Sequence, residues 1–283
     1  MTAAALALPT SILDVPSGLH DGIADQVYRQ RIPGLVSKSV LDLVHRAPAL
    51  YKAWLDGAED EPTPALLFGK AFHCALLEPD VFRRTYAVEP SFGDCRSKDN
   101  KARRDAWRAE HNGVSLITRE DDETIRGMIR VIRAHPLASR MFTEGRSELT
   151  LRWRDEATGL ECKARADHYF QRLGLAIDVK TIEDARPSAF RKSVANYGYN
   201  RQHAFYADAF EAVGEPLRHF VFLACEKRPP YLCALYTLDD NAVRRGRLSI
   251  MDDMTTLADC FEADDFPGYD TSIVTLDLPR WAE

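Results

Sequence analysis

The chain has 283 residues, of which 45% are hydrophobic and 28% charged, and its formal net charge is −6. This composition is typical of a globular protein with one large domain, and the longest apolar runs, such as residues 220–225, are too short to span a bilayer. The negative charge excludes a protein that binds nucleic acid by bulk electrostatic attraction. It does not exclude one that binds DNA in a local groove where metal ions reverse the field.

The N-terminal residues 1–13 are apolar and contain no basic side chain. We therefore interpret them as a flexible arm and not as a signal peptide, and we assign residues 1–30 to an N-terminal arm. We expect residues 31–283 to form a single domain, with a helical part over 31–145 and a sheet with its helices over 146–265.

The six cysteines show no CxxC spacing and no pairing with histidine that would indicate a zinc site. The same spacing argues against a four-cysteine iron–sulfur cluster. Reduced thiols are typical of cytoplasmic proteins, and we expect a cytoplasmic location. The six are Cys74, Cys95, Cys162, Cys225, Cys233 and Cys260.

Apolar residues at helical spacing dominate the N-terminal half. Pro48 divides the first helical region into two helices, and Ser37 is a suitable N-cap for the first of them. His73 lies inside the second region among apolar neighbours. The predicted helical regions cover residues 37–56, 63–79, 91–113 (a loop and then an exposed helix) and 118–136.

From residue 148 onward the sequence alternates between polar and apolar residues, which is typical of strands. The segments 148–154 and 160–170 predict a hairpin, and GLAIDVKT, residues 174–181, predicts a third strand. One or two helices, two strands and a long helix are then predicted over residues 188–214, 218–226, 231–238 and 240–262. This order predicts an α/β fold with a central mixed β-sheet flanked by helices and preceded by a helical portion.

The third strand carries charged residues where a buried strand should be apolar. Because side chains alternate between faces, Asp178 and Lys180 point to one side of the sheet, while Ile177 and Val179 point to the other. Burying a carboxylate beside an ammonium group is costly unless the pair has a task. A surface ion pair on an edge strand would give the same spacing, so the pair alone does not establish a site.

Asp167, near the end of the preceding strand, can approach Asp178 if the two strands are adjacent. Two carboxylates repel each other unless a proton or a metal ion lies between them. Oxygen ligands of this kind favour Mg²⁺ or Mn²⁺. A neighbouring lysine can position or deprotonate a water molecule, or offset charge on a phosphate. The spacing therefore predicts metal-assisted hydrolysis of a phosphodiester.

The combination of Asp167, Asp178 and Lys180 resembles the motif of the PD-(D/E)xK nuclease superfamily, although Ala166 stands where proline is typical. That proline has no chemical role, so the departure changes little.

Further segments are similar to the nuclease domain of the RecE-type exodeoxyribonuclease VIII family, over about residues 33–240. Gln202 and Tyr206 match the QxxxY pattern that is shared with the RecB-like and lambda-exonuclease branches. The similar segments are LVSKSVLDLVHRAPALYKAW, GKAFHCALLEP, SELTLRW, TGLECKARADHY, DVKT and SVANYGYNRQHAFYADAF.

The resemblance implies a role for each matching residue. Lys180 would orient the attacking water. Gln202 and Tyr206, four residues apart on one helical face, would lie beside the site, where they can contact the DNA backbone or the Lys180 region. Ser37 and Arg165 would hold a terminal phosphate. The implied metal ligands are His73, Asp167, Asp178, the main-chain carbonyl of Val179 and, for a second ion or its waters, Glu148.

Several of these residues also have a purely structural interpretation. His73 would then be a hydrogen-bonded core residue, Glu148 a solvated residue at the start of a strand, and Tyr206 a core aromatic. A basic run in the third helical region is either a solvated surface or the lining of a DNA entry path. It consists of Arg96, Lys98, Lys101, Arg103 and Arg104.

The resemblance further implies a metal-dependent exodeoxyribonuclease with two Mg²⁺ or Mn²⁺ ions, which degrades one strand of duplex DNA from an end, 5′ to 3′, and leaves 3′ tails. It implies a ring-shaped homo-oligomer, a RecT-like single-strand annealing partner, and a phage or prophage origin in a bacterial host. The alternatives are an endonuclease or 3′-directed enzyme of the same fold, and a non-catalytic DNA-end-binding or assembly subunit. An NTPase is excluded because the chain has no GxxxxGK[ST] sequence.

Overall fold

The computed structural model describes residues 9–58, 61–94 and 96–278. The start of the predicted arm, the thiol of Cys95 and the last residues of the tail lie outside the described residues.

The helices are α1 (Asp25–Tyr28), α2 (Lys38–Arg46), α3 (Pro48–Leu55), α4 (Pro64–Leu77), α5 (Pro79–Thr85), α6 (Lys98–Glu110), α7 (Arg119–Ala134), α8 (Ala138–Met141), α9 (Pro187–Asn196), α10 (Tyr199–Ala212) and α11 (Asp240–Ala263). The strands are β1 (Gly18–His20), β2 (Leu35–Val36), β3 (Tyr86–Val88), β4 (Ser115–Ile117), β5 (Arg146–Arg154), β6 (Glu161–Phe170), β7 (Leu175–Ile182), β8 (His219–Glu226) and β9 (Cys233–Tyr236).

The predicted helices of the N-terminal half are confirmed, and their ends follow from their capping residues. The side chains of Ser37 and Thr63 accept hydrogen bonds from main-chain amides in the first turns of α2 and α4. Pro48 begins α3 directly after Ala47, whose extended backbone ends α2. None of the helices in the described part of the chain is long and apolar enough to cross a membrane.

The central sheet has the strand order β1-β5-β6-β7-β8-β9, and β2 pairs with the start of β6. The β5–β6 hairpin, the β6–β7 pair and the β8–β9 pair are antiparallel, whereas β7 and β8 are parallel. The predicted mixed sheet is therefore confirmed. A separate small sheet, in which β3 and β4 run parallel, was not predicted.

Helices cover both faces of the sheet. One apolar cluster joins the sheet to α2, α10 and α11, and the other joins it to α4 and α7. Ala176 of β7 belongs to the first cluster, whereas Ile177 and Val179 belong to the second. By alternation, Asp178 and Lys180 point toward α10, as the sequence predicted.

Strands β6 and β7 separate after a short ladder. Their pairing in the described structure runs from Phe170 opposite Leu175 to His168 opposite Ile177. Beyond it, the Val179 amide donates to the Asp167 carboxylate at 2.7 Å instead of to a strand carbonyl. The two strands therefore diverge and form a fork, in which the Asp167 side chain takes the place of a main-chain acceptor for the Val179 amide.

The described part of the predicted arm is packed on the domain. Strand β1 pairs with β5, with Gly18 opposite Arg152, and Ile12 is fully buried. The prediction of a flexible arm is therefore wrong for residues 9–13, and the remainder of the assigned arm, to residue 30, also packs on the domain. Three-residue strands whose partners lie far along the chain leave almost no local pattern in the sequence.

Candidate active site

A cluster of side chains that could hold a metal ion lies where α4 meets the β5–β6 hairpin. His73, Glu148 and Asp167 each place one potential ligand atom within 4.8 Å of those of the other two. The Nδ1 atom of His73 lies 3.6 Å from an Oδ2 oxygen of Asp167. Helix α4 buries Phe72 against the sheet, which directs its neighbour His73 toward the strands.

Strand register brings the two carboxylates of the cluster together. Ser147 pairs with His168 and Leu149 with Ala166, so Glu148 and Asp167 lie opposite each other between these pairs. Glu148 adopts a φ of 50°, in the left-handed region that is uncommon for residues other than glycine. Residues held in such conformations are concentrated at functional sites.

The carboxylates of the cluster are unusually hard to ionise. Burial, and next the charge of Asp167, raise the pKa of Glu148 from 4.5 to about 8, although Arg165 opposes the shift. Burial also raises the pKa of Asp167, which His73 lowers and Asp178 raises further. Two crowded carboxylates and an imidazole are ligands that a divalent cation such as Mn²⁺ or Mg²⁺ can take, and its charge would relieve their repulsion.

Asp178 and Lys180 form a buried pair beside this cluster. Their side chains are 2.7 Å apart, and Gln202 on α10 bridges them. The Gln202 amide donates to Asp178 at 2.5 Å and accepts from the Lys180 ammonium at 2.9 Å. The ring of Tyr199 lies 4.5 Å from the Lys180 Nζ atom. The glutamine therefore fixes both members of the pair in one orientation.

The protonation state of Lys180 limits what it can do. Burial lowers the pKa of this ammonium group, but Asp178 and then Asp167 outweigh that effect and raise it above its usual value. A lysine that stays protonated cannot act as a general base. It can orient a water molecule or stabilise charge on a phosphate by donating hydrogen bonds.

The predicted metal ligands fall into two groups in the structure. His73, Glu148 and Asp167 form the three-residue cluster, whereas Asp178 is not part of it and instead contacts Lys180 and Gln202. Val179 is tied to Asp167 through its amide, and ligation through its carbonyl stays a prediction.

Tyr206 supports the opened strand. Its hydroxyl donates a 2.8 Å hydrogen bond to the main-chain carbonyl of Arg165 on β6, in the stretch beyond the β6–β7 ladder. Its ring packs partly buried against the cluster of apolar residues under α10. The structure therefore gives Tyr206 a supporting contact, and no contact with Lys180 is seen among the described residues.

Ser37 and Arg165, the predicted phosphate ligands, are both engaged within the protein. The Ser37 hydroxyl caps α2 and lies 3.0 Å from the hydroxyl of Ser39. The Arg165 guanidinium stacks 4.0 Å from the ring centroid of Tyr28 and donates to the Ile23 carbonyl at 2.8 Å. Their role toward a phosphate stays a prediction.

Sequence reasoning missed several groups near the cluster. The charges of Glu78 and Asp25 both raise the pKa of Glu148, which places them within electrostatic range of it. Tyr28 stacks on Arg165, and burial raises the pKa of its hydroxyl to about 12. Glu78 is part of the GKAFHCALLEP segment and could have been noticed. The other two lie in the supposed arm, where no pattern indicated them.

A family model described as "PDDEXK-like domain of unknown function (DUF3799)" matches residues 37–275. No curated protein matches the chain. A crystal structure titled "putative exonuclease", from Eubacterium rectale, superimposes with a TM-score of 0.59 at 15% identity, covering 85% of this chain and 88% of that one. At this identity the likeness shows a common fold.

Proposed function

The chain belongs to the family described as PDDEXK-like domain of unknown function (DUF3799), and from this membership we propose that it is a metal-dependent exodeoxyribonuclease. The observation that carries the proposal is the position of the buried Asp178–Lys180 pair beside the His73, Glu148 and Asp167 cluster. Together they provide ligands for a divalent cation and a fixed ammonium group, two components that support metal-assisted hydrolysis of a phosphodiester.

His73, Glu148 and Asp167 would hold one Mg²⁺ or Mn²⁺ ion, and Asp178, the further ligand implied by the resemblance, would serve that ion or a second one. A divalent cation there supplies Lewis-acid polarisation of the scissile phosphate. Lys180 would donate a hydrogen bond to the attacking water or to a phosphate oxygen, and Gln202 would hold that ammonium group in place.

The finer parts of the proposal rest on the resemblance to RecE-type exonucleases. They are attack on one strand of linear duplex DNA from an end, 5′ to 3′ direction, release of 5′-phosphate products and formation of 3′ tails for recombination by strand annealing. The same proposal includes a ring-shaped homo-oligomer, a RecT-like partner, and contacts from Ser37 and Arg165 to the terminal phosphate. It also includes a phage or prophage origin and action in the cytoplasm of the bacterial host.

Labelled linear duplexes test the activity and its direction. Duplexes labelled at the 5′ or 3′ end, and a closed circular duplex, are incubated with Mg²⁺, with Mn²⁺ or with EDTA. We expect metal-dependent release of the 5′ label as mononucleotides and no cleavage of the circle. Lys180→Ala should lower the rate by on the order of 10²–10³-fold, whereas Lys192→Ala, at an exposed position of α9, should not.

Each other outcome selects an alternative. Cleavage of the circle identifies an endonuclease, and release of the 3′ label first reverses the direction. A protein that binds duplex ends but leaves every label in place is the non-catalytic end-binding subunit.

A further inference from the structure

A basic cavity lies on the side of α10 that faces β8, away from the candidate active site. Its volume is about 350 Å³, and it is enclosed by α10, the first residues of β8, the segment after β9 and the first turns of α11. His203 lines it and directly follows Gln202, which contacts Asp178. Consecutive residues of a helix point about 100° apart, so the cavity and the candidate active site lie on different faces of the same turn of α10.

Three arginines line this cavity. Arg247 is neutralised by Asp208, which its guanidinium contacts at 2.6 Å. Arg218 and Arg244 are exposed and form no ion pair with an acid anywhere in the described ranges. Arg244 contacts the neutral side chain of Asn241 at 3.1 Å. Asp240 is the one acid in the described lining, and Asp208 pairs with Arg247 from outside it, so the cavity keeps an excess of positive charge.

The rest of the lining is apolar or aromatic. The His203 ring stacks on Phe220 with 4.5 Å between centroids and 18° between planes, and Leu217 and Val243 add aliphatic surface. The His203 Nδ1 atom is buried and has no hydrogen-bond partner among the described residues. This atom is closed off from the cavity, so a ligand there would meet the ring faces and the aliphatic side chains.

We propose that this cavity binds one nucleotide unit, with its phosphate on Arg218 and Arg244 and its sugar and base against the apolar walls. Arginine is the side chain best suited to phosphate because its planar donors match phosphate oxygens. A bare phosphate would leave most of 350 Å³ unfilled, whereas the volume lies at the lower end of the range for small-molecule sites. The nucleotide unit is either a free nucleoside monophosphate or part of a DNA strand. The choice between these two sources rests on the proposed function, whereas the binding of a nucleotide unit does not.

Binding is measured by calorimetry on the full chain in buffer freed of metal by a chelating resin, so that nothing is hydrolysed. The probes are deoxyadenosine monophosphate, inorganic phosphate and a six-nucleotide single strand. We expect the monophosphate or the strand to bind at least tenfold more tightly than inorganic phosphate. The tighter of the two identifies the source.

Two neighbouring arginines on α11 give a matched pair of variants. Arg244→Gln removes a cavity charge, whereas Arg245→Gln removes an exposed charge that does not line the cavity. We expect the first to weaken binding roughly tenfold or more and the second less than twofold. Arg218→Gln should reproduce the loss, and the melting temperature of each variant confirms folding.

Three outcomes would overturn the proposal that the cavity is a binding site, and a fourth would overturn the choice of a nucleotide as its ligand. The first is that no probe binds, and the second is that Arg244→Gln and Arg245→Gln weaken binding equally. The third is that Lys180→Ala abolishes binding while Arg244→Gln retains it, which would place the ligand in the active site. If inorganic phosphate binds more tightly than the monophosphate and the strand, the proposal of a nucleotide ligand is refuted. Because no hydrolysis is measured, failure here is distinct from failure of the nuclease assay.

Discussion

Glu148 combines a left-handed backbone with a carboxyl group that is hard to ionise. Both properties occur at the residue that completes the cluster with His73 and Asp167. The fold therefore holds two acids together at the expense of its own stability, which is a common property of binding and catalytic sites.

Glu148→Gln should change the pH dependence of stability in the absence of metal. The folded-state pKa of Glu148 is about 8, above its usual 4.5, so its contribution to stability is complete below pH 4.5 and is lost as the pH rises through 8. Glutamine carries no such penalty. We expect the melting temperature of the variant, relative to wild type, to be higher at pH 9 than at pH 5 by a few degrees.

Thermal melts in EDTA between pH 5 and pH 9 measure this difference. Glu123→Gln, at an exposed position of α7, is the control and should give a constant difference. A Glu148→Gln difference that stays flat with pH would contradict the proposed crowding. With Mn²⁺ present, wild type should gain stability that the variant does not.

Gln202 should matter for turnover because it fixes both Asp178 and Lys180. Gln202→Ala leaves the acid and the lysine in contact but free to reorient, and we expect kcat to fall about 10- to 100-fold with little change in KM. Asn200→Ala on the same helix removes only a weak contact to Ala242 and is the control. Equal rates for the two variants would show that Gln202 has no positioning role.

The sequence could indicate some of these residues and not others. Asp178 and Lys180 are visible from strand alternation alone, because two charges in an apolar strand are unusual. His73 and Glu148 needed the resemblance, since a histidine in an apolar helix and an acid at a strand start have ordinary explanations. Asp25 reaches the cluster only through tertiary packing, which no local pattern encodes.

At the scale of elements, α10 and α11 approach each other unusually closely at Gly246. A Cβ atom there would lie 2.2 Å from the Asn200 carbonyl oxygen and 2.8 Å from the Arg201 amide nitrogen. Main-chain atoms in a helix cannot move away as a flexible side chain can. This contact fixes the start of α10, the helix that carries Gln202.

Gly246→Ala should therefore destabilise the protein by about 1–3 kcal/mol, as overpacking does. Gly69→Ala in α4 is a matched control because its Cβ would meet only Thr181 Oγ1, at 3.8 Å. That variant should be stabilised by about 0.4–1 kcal/mol, since alanine reduces the freedom of the unfolded chain. Urea unfolding of both variants measures the difference, and a neutral Gly246→Ala would refute the close contact.

Long elements were predictable and short ones were not. The helices and the β5–β6 hairpin have enough residues for a period to be read, and their caps and turns lie within the same segment. Strands β1 and β2 have three and two residues, and both pair with strands far along the chain. The β6–β7 fork was also beyond prediction, because an unpaired stretch of strand has the same sequence pattern as a paired one.

At the scale of the whole molecule, the N-terminal segment closes one edge of the sheet. Strand β1 covers β5 from Thr150 to Arg152, and Asp21 contacts Arg146 at 2.7 Å. An uncovered β-strand edge is a template for pairing with other chains. The segment is thus part of the domain, although its sequence resembles a linker.

Deleting residues 1–22 should lower the melting temperature and cause concentration-dependent aggregation, because the β5 edge becomes available. Deleting residues 1–8 removes none of the described contacts and is the control. Light scattering during heating at several protein concentrations measures both. A longer deletion that stays monomeric and melts like the control would show that β1 does not protect the edge.

The strand order has a consequence for synthesis on the ribosome. Val36 pairs with Cys162 and Gly18 with Arg152, so the N-terminal strands emerge long before their partners. The β5–β6 hairpin is local and can form as soon as it appears, and only then can the early strands dock, since distant pairing carries the larger loop-closure entropy. His73 can meet Glu148 and Asp167 only once this hairpin exists, because both acids lie on it. The nascent chain therefore has no assembled set of candidate metal ligands until its central hairpin has left the exit tunnel.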